Sequence, residues 1–325
     1  MKVIFMGTPA FAVPTLNALI KHHEVLAVLT RPDRPAGRGF KLTPSPIKEV
    51  ALTHGVPVLQ PPTLKLSESK EIRTQLKNFG ADIFVVAAYG LILPKGVREM
   101  PPMGCINVHA SLLPKYRGAS PIHAAILNGE TETGITIMHM EAGIDTGDMI
   151  IKKSAAIGEN ERFPELHDRM AELGGELIIE ALELFENGTA PRIPQDESLS
   201  CYAPMIQKQD GLINWNLTTR EIINKIRALD PWPGCFTNYQ GQVIKIWGAE
   251  ATEWTSADSD SVACGTILAA DSAAGIIIKT ADGFAKVTEL QPPGGKKMPA
   301  TDFLRGRKFM EQGKHLGHEP QATSL

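Results

Sequence analysis

Asn107 and His109 stand two residues apart at the end of the apolar run Cys105-Ile106-Asn107-Val108-His109. On a strand, that spacing turns both side chains to the same face. They fall at the carboxyl end of the run, where open α/β sheets gather their ligands. Asp145 sits between Gly143 and Gly147, in a loop able to carry a carboxylate toward His109. An amide, an imidazole and a carboxylate together suit acyl transfer to an amine. Attack by the amine makes a tetrahedral carbon bearing an oxyanion, to which an Asn N–H and an imidazolium N–H can both donate. The carboxylate helps keep the imidazole charged and takes up the amine's proton, directly or through water. An activated acyl donor needs no Ser or Cys nucleophile. Spacing alone does not separate this reading from an ordinary structural Asn-x-His pair.

The surrounding pattern supplies a scaffold. Apolar runs at 3–6, 25–29, 56–59, 83–87 and 105–108 read as buried strands, followed by a pair at 135–140 and 149–154. Stretches with helical spacing lie between them, at 11–21, 46–54, 67–79 and 121–127. This alternation predicts an α/β fold with a doubly wound, mostly parallel sheet. Residues 161–186 read as one long helix stopped by Asn187-Gly188. A proline-bearing linker is expected at 190–209, which divides the chain into domains at 1–189 and 210–325. Beyond the linker, short strands at 236–239, 243–247, 265–268, 276–280 and 285–290 lie between helices at 220–229 and 301–312. They predict a small closed or half-closed β-barrel.

The 325 residues are 43% hydrophobic and 21% charged, as in soluble globular proteins. Mean hydropathy is −0.08 and no run of eighteen apolar residues occurs, which argues against a membrane protein. The opening Met-Lys-Val-Ile-Phe-Met-Gly-Thr reads as a strand and not as a signal peptide. Four scattered cysteines without a C-x-x-C pair predict neither a disulfide framework nor a zinc site, and fit a cytoplasmic protein. Net charge is −3, yet residues 286–314 carry seven basic against three acidic side chains, a local face suited to phosphate or simply to water. Gly7-Thr8-Pro9 lacks the G-x-G-x-x-G of a dinucleotide fold. His22-His23 suits a helix C-terminus better than a metal. His139 is compatible with either the pocket or the sheet interior.

The longer string Asn107-Val108-His109-Ala110-Ser111-Leu112-Leu113-Pro114-Lys115-Tyr116-Arg117-Gly118 resembles the signature of the formyltransferases that use 10-formyltetrahydrofolate. The likeness extends to Phe5-Met6-Gly7-Thr8-Pro9-Ala10-Phe11-Ala12 and Ala88-Tyr89-Gly90-Leu91-Ile92-Leu93-Pro94. Pro32-Asp33-Arg34-Pro35-Ala36-Gly37-Arg38-Gly39, Asp230-Pro231-Trp232-Pro233-Gly234 and Gln291-Pro292-Pro293-Gly294-Gly295-Lys296-Lys297-Met298 are similar to segments of the family's methionyl-tRNA branch. The match runs through nearly the whole chain in order.

This resemblance implies a Rossmann-like formyltransferase domain followed by an OB-like barrel that binds tRNA. It implies Asn107, His109 and Asp145 as the catalytic group. The formyl donor, 10-formyltetrahydrofolate, is expected against Leu91, Ile92, Leu93, Gly143 and the run Ser111, Leu112, Leu113, Pro114, with no metal. Initiator methionyl-tRNA is the implied partner, contacted by Arg34, Arg38 and Lys41 of the loop 31–41 and by Lys296 and Lys297. A monomer is expected. The rival reading is a relative acting on glycinamide ribonucleotide or an amino sugar. The former enzymes are usually built without a C-terminal domain, and the loop 31–41 argues against the latter. A non-catalytic RNA-binding protein would leave Asn107, His109 and Asp145 unexplained.

Overall fold

A computed structural model describes residues 1–36, 41–65, 67–255, 261–306 and 310–317. The strands, in chain order, are β1 Lys2–Gly7, β2 Glu24–Leu29, β3 Arg34–Ala36, β4 Lys41–Thr43, β5 Val58–Leu59, β6 Ile83–Ala87, β7 Cys105–His109, β8 Arg117–Gly118, β9 Glu132–His139, β10 Met149–Ala156 and β11 Tyr202–Ala203. Continuing, they are β12 Cys235–Tyr239, β13 Gln242–Thr252, β14 Ile267–Asp271, β15 Gly275–Lys279, β16 Phe284–Gln291 and β17 Met298–Pro299. The chain divides into two compact units. One comprises 1–122, 132–156 and 165–204; the other comprises 123–131, 157–164 and 205–325.

The first unit is built on a seven-stranded sheet in the order β10-β9-β7-β6-β1-β2-β5. The pairs from β5 through β7 are parallel, and β9 and β10 are added antiparallel. Val3, Ile4, Phe5 and Met6 of β1 and Ile83 to Ala87 of β6 are all buried, as strands covered on both faces must be. That double burial is why these segments read as unbroken apolar runs. Helices Val13–His22, Pro46–Thr53, Lys70–Phe79 and Phe163–Glu186 accompany the sheet. Ser45 caps the second of these by accepting the Lys48 N–H at 3.1 Å. The long helix ends at Gly188, whose φ of +67° suits glycine.

Three expectations are corrected. The fifth strand is two residues long, not four, because β2 offers it only Val28 and Leu29 as partners. The loop 31–41 is not without internal structure: β3 and β4 form an antiparallel ribbon, Arg34 facing Thr43 and Ala36 facing Lys41. The segment 190–204 is a strap laid on the first unit. Ile193 bridges Met149, and Tyr202 and Ala203 of β11 pair in parallel with Arg117 and Gly118 of β8.

The second unit is an antiparallel sheet in the order β12-β13-β16-β15-β14, with β17 on β16. The end strands β12 and β14 do not pair with each other among the described residues. Trp215, Ile222, Ile226, Tyr239, Ile246, Ile278, Leu290 and Phe303 form its core. The helix Thr219–Ala228 packs its apolar face there, and a capping box between Thr218 and Glu221 starts it. The final helix spans Ala300–Gly306. No described helix is long and apolar enough to cross a membrane.

Candidate active site

Strand β7 presents Asn107 half-buried and His109 only 5% exposed. The loop after β9 brings Asp145 to both. Asp145 Oδ1 accepts from Asn107 Nδ2 at 3.4 Å, and Oδ2 stands 3.6 Å from His109 Nδ1. Oδ2 also accepts the backbone N–H of Gly118 at 2.8 Å. The other ring nitrogen of His109 lies 2.9 Å from the Tyr116 carbonyl. One ring nitrogen therefore faces the Tyr116 carbonyl and the other the Asp145 carboxylate. The Nδ1–Asp145 gap is too long for a hydrogen bond, and the Asn107 contact is at the long end. Two donors loosely held by one carboxylate are free to turn to a developing oxyanion between them.

Backbone geometry fixes the pair of loops that meet here. Gly118 has φ +111°, and a side chain at that position would strike the Tyr202 ring and the Ala203 carbonyl. Asp145 itself has φ +52°, an uncommon left-handed conformation for a residue with a side chain.

The residues expected to hold the formyl donor divide. Ile92 is 90% exposed, Gly143 is exposed and Leu91 is half-buried, so all three can be reached. Leu93 is buried in a cluster with Tyr89 and Val97. Ser111 and Leu113 are fully buried. Ser111 Oγ donates to the Lys115 carbonyl, Thr136 Oγ1 bonds Ser111 O and Leu113 N, and Leu113 packs on Met138 and Met149. These two hold the turn under His109. Leu112 and Pro114 keep partial exposure.

Sequence reasoning missed a cavity of about 530 Å³ lined by Arg98, Cys105, His139, Met140, Glu141, Ala142 and Arg192 among others. Arg98 ties its two walls together, donating to Leu93 O and Met140 O, each at 3.0 Å. His139 lines it with a buried Nε2 that has no partner among the described residues. Burial, then the Arg192 charge, holds the pKa of His139 below its ordinary value.

A second cavity, of about 430 Å³, opens where the sheet order reverses between β1 and β6. Thr8, Pro9, Arg31, Arg34, Thr43, Ser45 and Tyr89 line it. Thr8 Oγ1 donates to Tyr89 O at 3.0 Å and Arg31 to Gly90 O at 3.3 Å. The Tyr89 hydroxyl is buried without a partner among the described residues, and burial pushes its pKa up. The ribbon above this cavity is rooted by Asp33, whose carboxylate takes Lys48 Nζ at 2.6 Å and Gln60 Nε2 at 2.7 Å.

Of the expected tRNA contacts, Arg34 is exposed on the ribbon. Arg38 and the side chain of Lys41 lie outside the described residues. Lys296 is exposed and in no ion pair among the described residues. Lys297 pairs with Glu289 at 3.1 Å and lies over Trp247 at 5.5 Å, with Lys245 over the same ring at 5.3 Å. Lys286 and Arg305 pair with Glu250 and Asp302. Of these pairs only Lys286–Glu250 draws on an acid outside 286–314, so the net count there already includes the other two.

The formyl transferase family model matches residues 1–182, and the model of the formyl transferase C-terminal domain matches 205–308. The methionyl-tRNA formyltransferase of Geobacter metallireducens is 46% identical over 319 residues, 98% of this chain and 99% of its own. That of Pelotomaculum thermopropionicum is 48% identical over 318 residues, again 98% and 99%. The chain belongs to the methionyl-tRNA formyltransferase family. Solved structures more distant than these share the fold. HypX from Aquifex aeolicus, in complex with tetrahydrofolic acid, has a TM-score of 0.61 at 18% identity over 98% of this chain, which spans 51% of HypX. An N-formyltransferase from Helicobacter canadensis, in complex with folinic acid and dTDP-3-aminofucose, has a TM-score of 0.64 at 22% identity, covering 92% of this chain and 100% of its own. The cluster of Asn107, His109 and Asp145 draws on β7, the loop 141–148 and the turn 116–118.

Proposed function

We propose that this chain transfers the formyl group of 10-formyltetrahydrofolate to the α-amino group of methionine on initiator methionyl-tRNA, in the cytoplasm, as a step of translation initiation. The observation that carries the chemistry is the convergence of Asn107, His109 and Asp145. Near full-length similarity to methionyl-tRNA formyltransferases supports the acceptor.

The amine nitrogen attacks the formyl carbon, and the carbonyl oxygen becomes an oxyanion. Asn107 Nδ2–H and His109 Nδ1–H donate to it, while Asp145 takes the proton that the amine sheds. Collapse re-forms the carbonyl and breaks the bond to the donor nitrogen. The proton held on the carboxylate, relayed by His109 or water, reaches that nitrogen, so the enzyme ends as it began.

The formyl donor as substrate is assigned to the 530 Å³ cavity, whose Arg98 donates to the Leu93 carbonyl. It offers apolar wall from Met140 and Ala142 and polar groups from Arg98, Glu141 and Arg192. The acceptor end of the tRNA is assigned to the 430 Å³ cavity under the ribbon, which Arg31 and Arg34 line. Residues 1–189 would carry the chemistry, and 210–325 would hold the tRNA through Lys296 and Lys297. The test is a comparison of acceptors: with 10-formyltetrahydrofolate as donor, methionyl initiator tRNA should outrun glycinamide ribonucleotide and amino sugars. Equal or faster transfer to a small amine would overturn the acceptor assignment.

A further inference from the structure

Asp145 is held by more than its own side chain. The strap that follows the long helix returns Gln195 to the back of the Asp145 loop, fifty residues away in sequence. Gln195 Nε2 donates to the carbonyls of Asp145 and Gly147, each at 2.8 Å. Gln195 Oε1 accepts from Arg117 Nε at 3.0 Å. Arg117, 8% exposed, is in turn held by Glu197 through two hydrogen bonds of 2.8 and 2.9 Å. Arg117 immediately precedes Gly118, the residue whose N–H fixes Asp145 Oδ2.

We infer that Gln195 is a positioning residue for formyl transfer, locking the Asp145 carboxylate at its working distance from His109 by clamping the loop backbone on one side and the Arg117-Gly118 turn on the other. The inference rests on the catalytic reading of Asp145. The residue type follows from the hydrogen-bond inventory. Two N–H groups meet two carbonyls and one carbonyl meets a guanidinium, so every polar atom of the amide is used. A glutamate would keep the Arg117 contact and set a carboxylate against two carbonyl oxygens. An asparagine is one methylene too short to span both sides. The left-handed Asp145 backbone, uncommon for this residue type, persists only while neighbouring groups hold it, and the clamp lands on that peptide.

Gln195 itself lines neither cavity, so its removal should act on turnover more than on binding. The experiment measures kcat and both KM values for Gln195→Ala, Gln195→Glu and Asp145→Asn, with methionyl initiator tRNA and 10-formyltetrahydrofolate. Misplacing a reacting group by about 1 Å costs roughly 10²-fold, so both Gln195 variants should lose about 10- to 100-fold in kcat with KM changed less than about twofold. Gln195→Glu carries the test if Gln195→Ala does not fold. Wild-type kcat in a folded Gln195 variant, or a loss confined to KM or to thermal stability, overturns the inference while a strong Asp145→Asn defect leaves the catalytic reading standing. An Asp145→Asn enzyme with near-normal kcat sinks the catalytic reading itself.

Discussion

Gly118 donates its backbone N–H to Asp145 Oδ2 at 2.8 Å, while His109 Nδ1 stands 3.6 Å from the same oxygen. The short contact is to a backbone peptide and the long one to the His109 ring. With the carboxylate anchored by the peptide, the His109 ring can turn its Nδ1 toward a substrate oxygen without displacing Asp145. Asn107 completes the arrangement from the other carboxylate oxygen.

His139 sets an acid limit on stability. Burial, then the nearby Arg192 charge, lowers its pKa, against the opposing pull of Asp148, Glu141 and the Pro191 carbonyl. The folded chain therefore prefers the neutral ring, whereas the unfolded chain binds the proton near pH ~6.5. The contribution is whole above pH ~6.5 and is lost as pH falls through the lowered folded value. Thermal midpoints between pH 7.5 and 5 should fall for the wild type and fall less steeply for His139→Asn. Parallel slopes would remove His139 from the account.

The root of the ribbon should titrate with Asp33. The hydrogen bond from Lys48, then that from Gln60, holds the Asp33 carboxyl below its ordinary value of 3.8. The contact is intact above that pH and lost as pH falls through the lowered value. Lys48→Ala should move the Asp33 midpoint, followed by NMR, back toward 3.8 and slow transfer to tRNA, with the KM for the formyl donor unchanged. An unmoved midpoint would mean that Lys48 does not hold the root.

Salt dependence separates the two C-terminal lysines. Lys296 is in no described ion pair, whereas Lys297 is tied to Glu289. If Lys296 meets a phosphate, Lys296→Ala should reduce the slope of log affinity against log salt by about 0.7–0.9. Lys297→Ala should change it less, because part of its charge is already met by Glu289. The reverse order would show that the Glu289 pair opens on binding.

The thiols should react in the order of their exposure. Cys201 is exposed, while Cys105 and Cys235 are buried and burial pushes the Cys235 thiol up to about 12. A maleimide should label native Cys201 first. Cys201 Sγ accepts the Tyr116 N–H at 3.2 Å, and the Tyr116 carbonyl faces His109 Nε2. Labelling should therefore slow formyl transfer, and Cys201→Ser should protect. Full activity after complete labelling would show that the turn 116–118 tolerates displacement.

Much of the scaffold was legible because it repeats. The period of two placed Asn107 and His109 on one strand, and unbroken apolar runs marked β1, β2 and β6 as strands buried on both faces. The loop around Asp145 was legible from its flanking glycines. Gln195 was not, because a contact made across fifty residues by one polar side chain leaves no periodic trace. The same holds for Glu197, which reaches Arg117 across eighty residues. The ribbon was hidden by brevity, each strand being three residues long. The burial of Ser111 and Leu113 was not legible for another reason: a signature string shows which residues go together, not which of them are exposed.

The most direct test of the central claim is single-turnover formyl transfer by His109→Ala, with the enzyme saturated by 10-formyltetrahydrofolate and methionyl initiator tRNA and tRNA affinity measured on the same preparation. The account predicts a loss of about 10²–10³ in rate, the usual consequence of removing one oxyanion donor, with tRNA affinity within about twofold of the wild type. A near-normal rate would contradict it, and so would a loss that follows tRNA affinity alone.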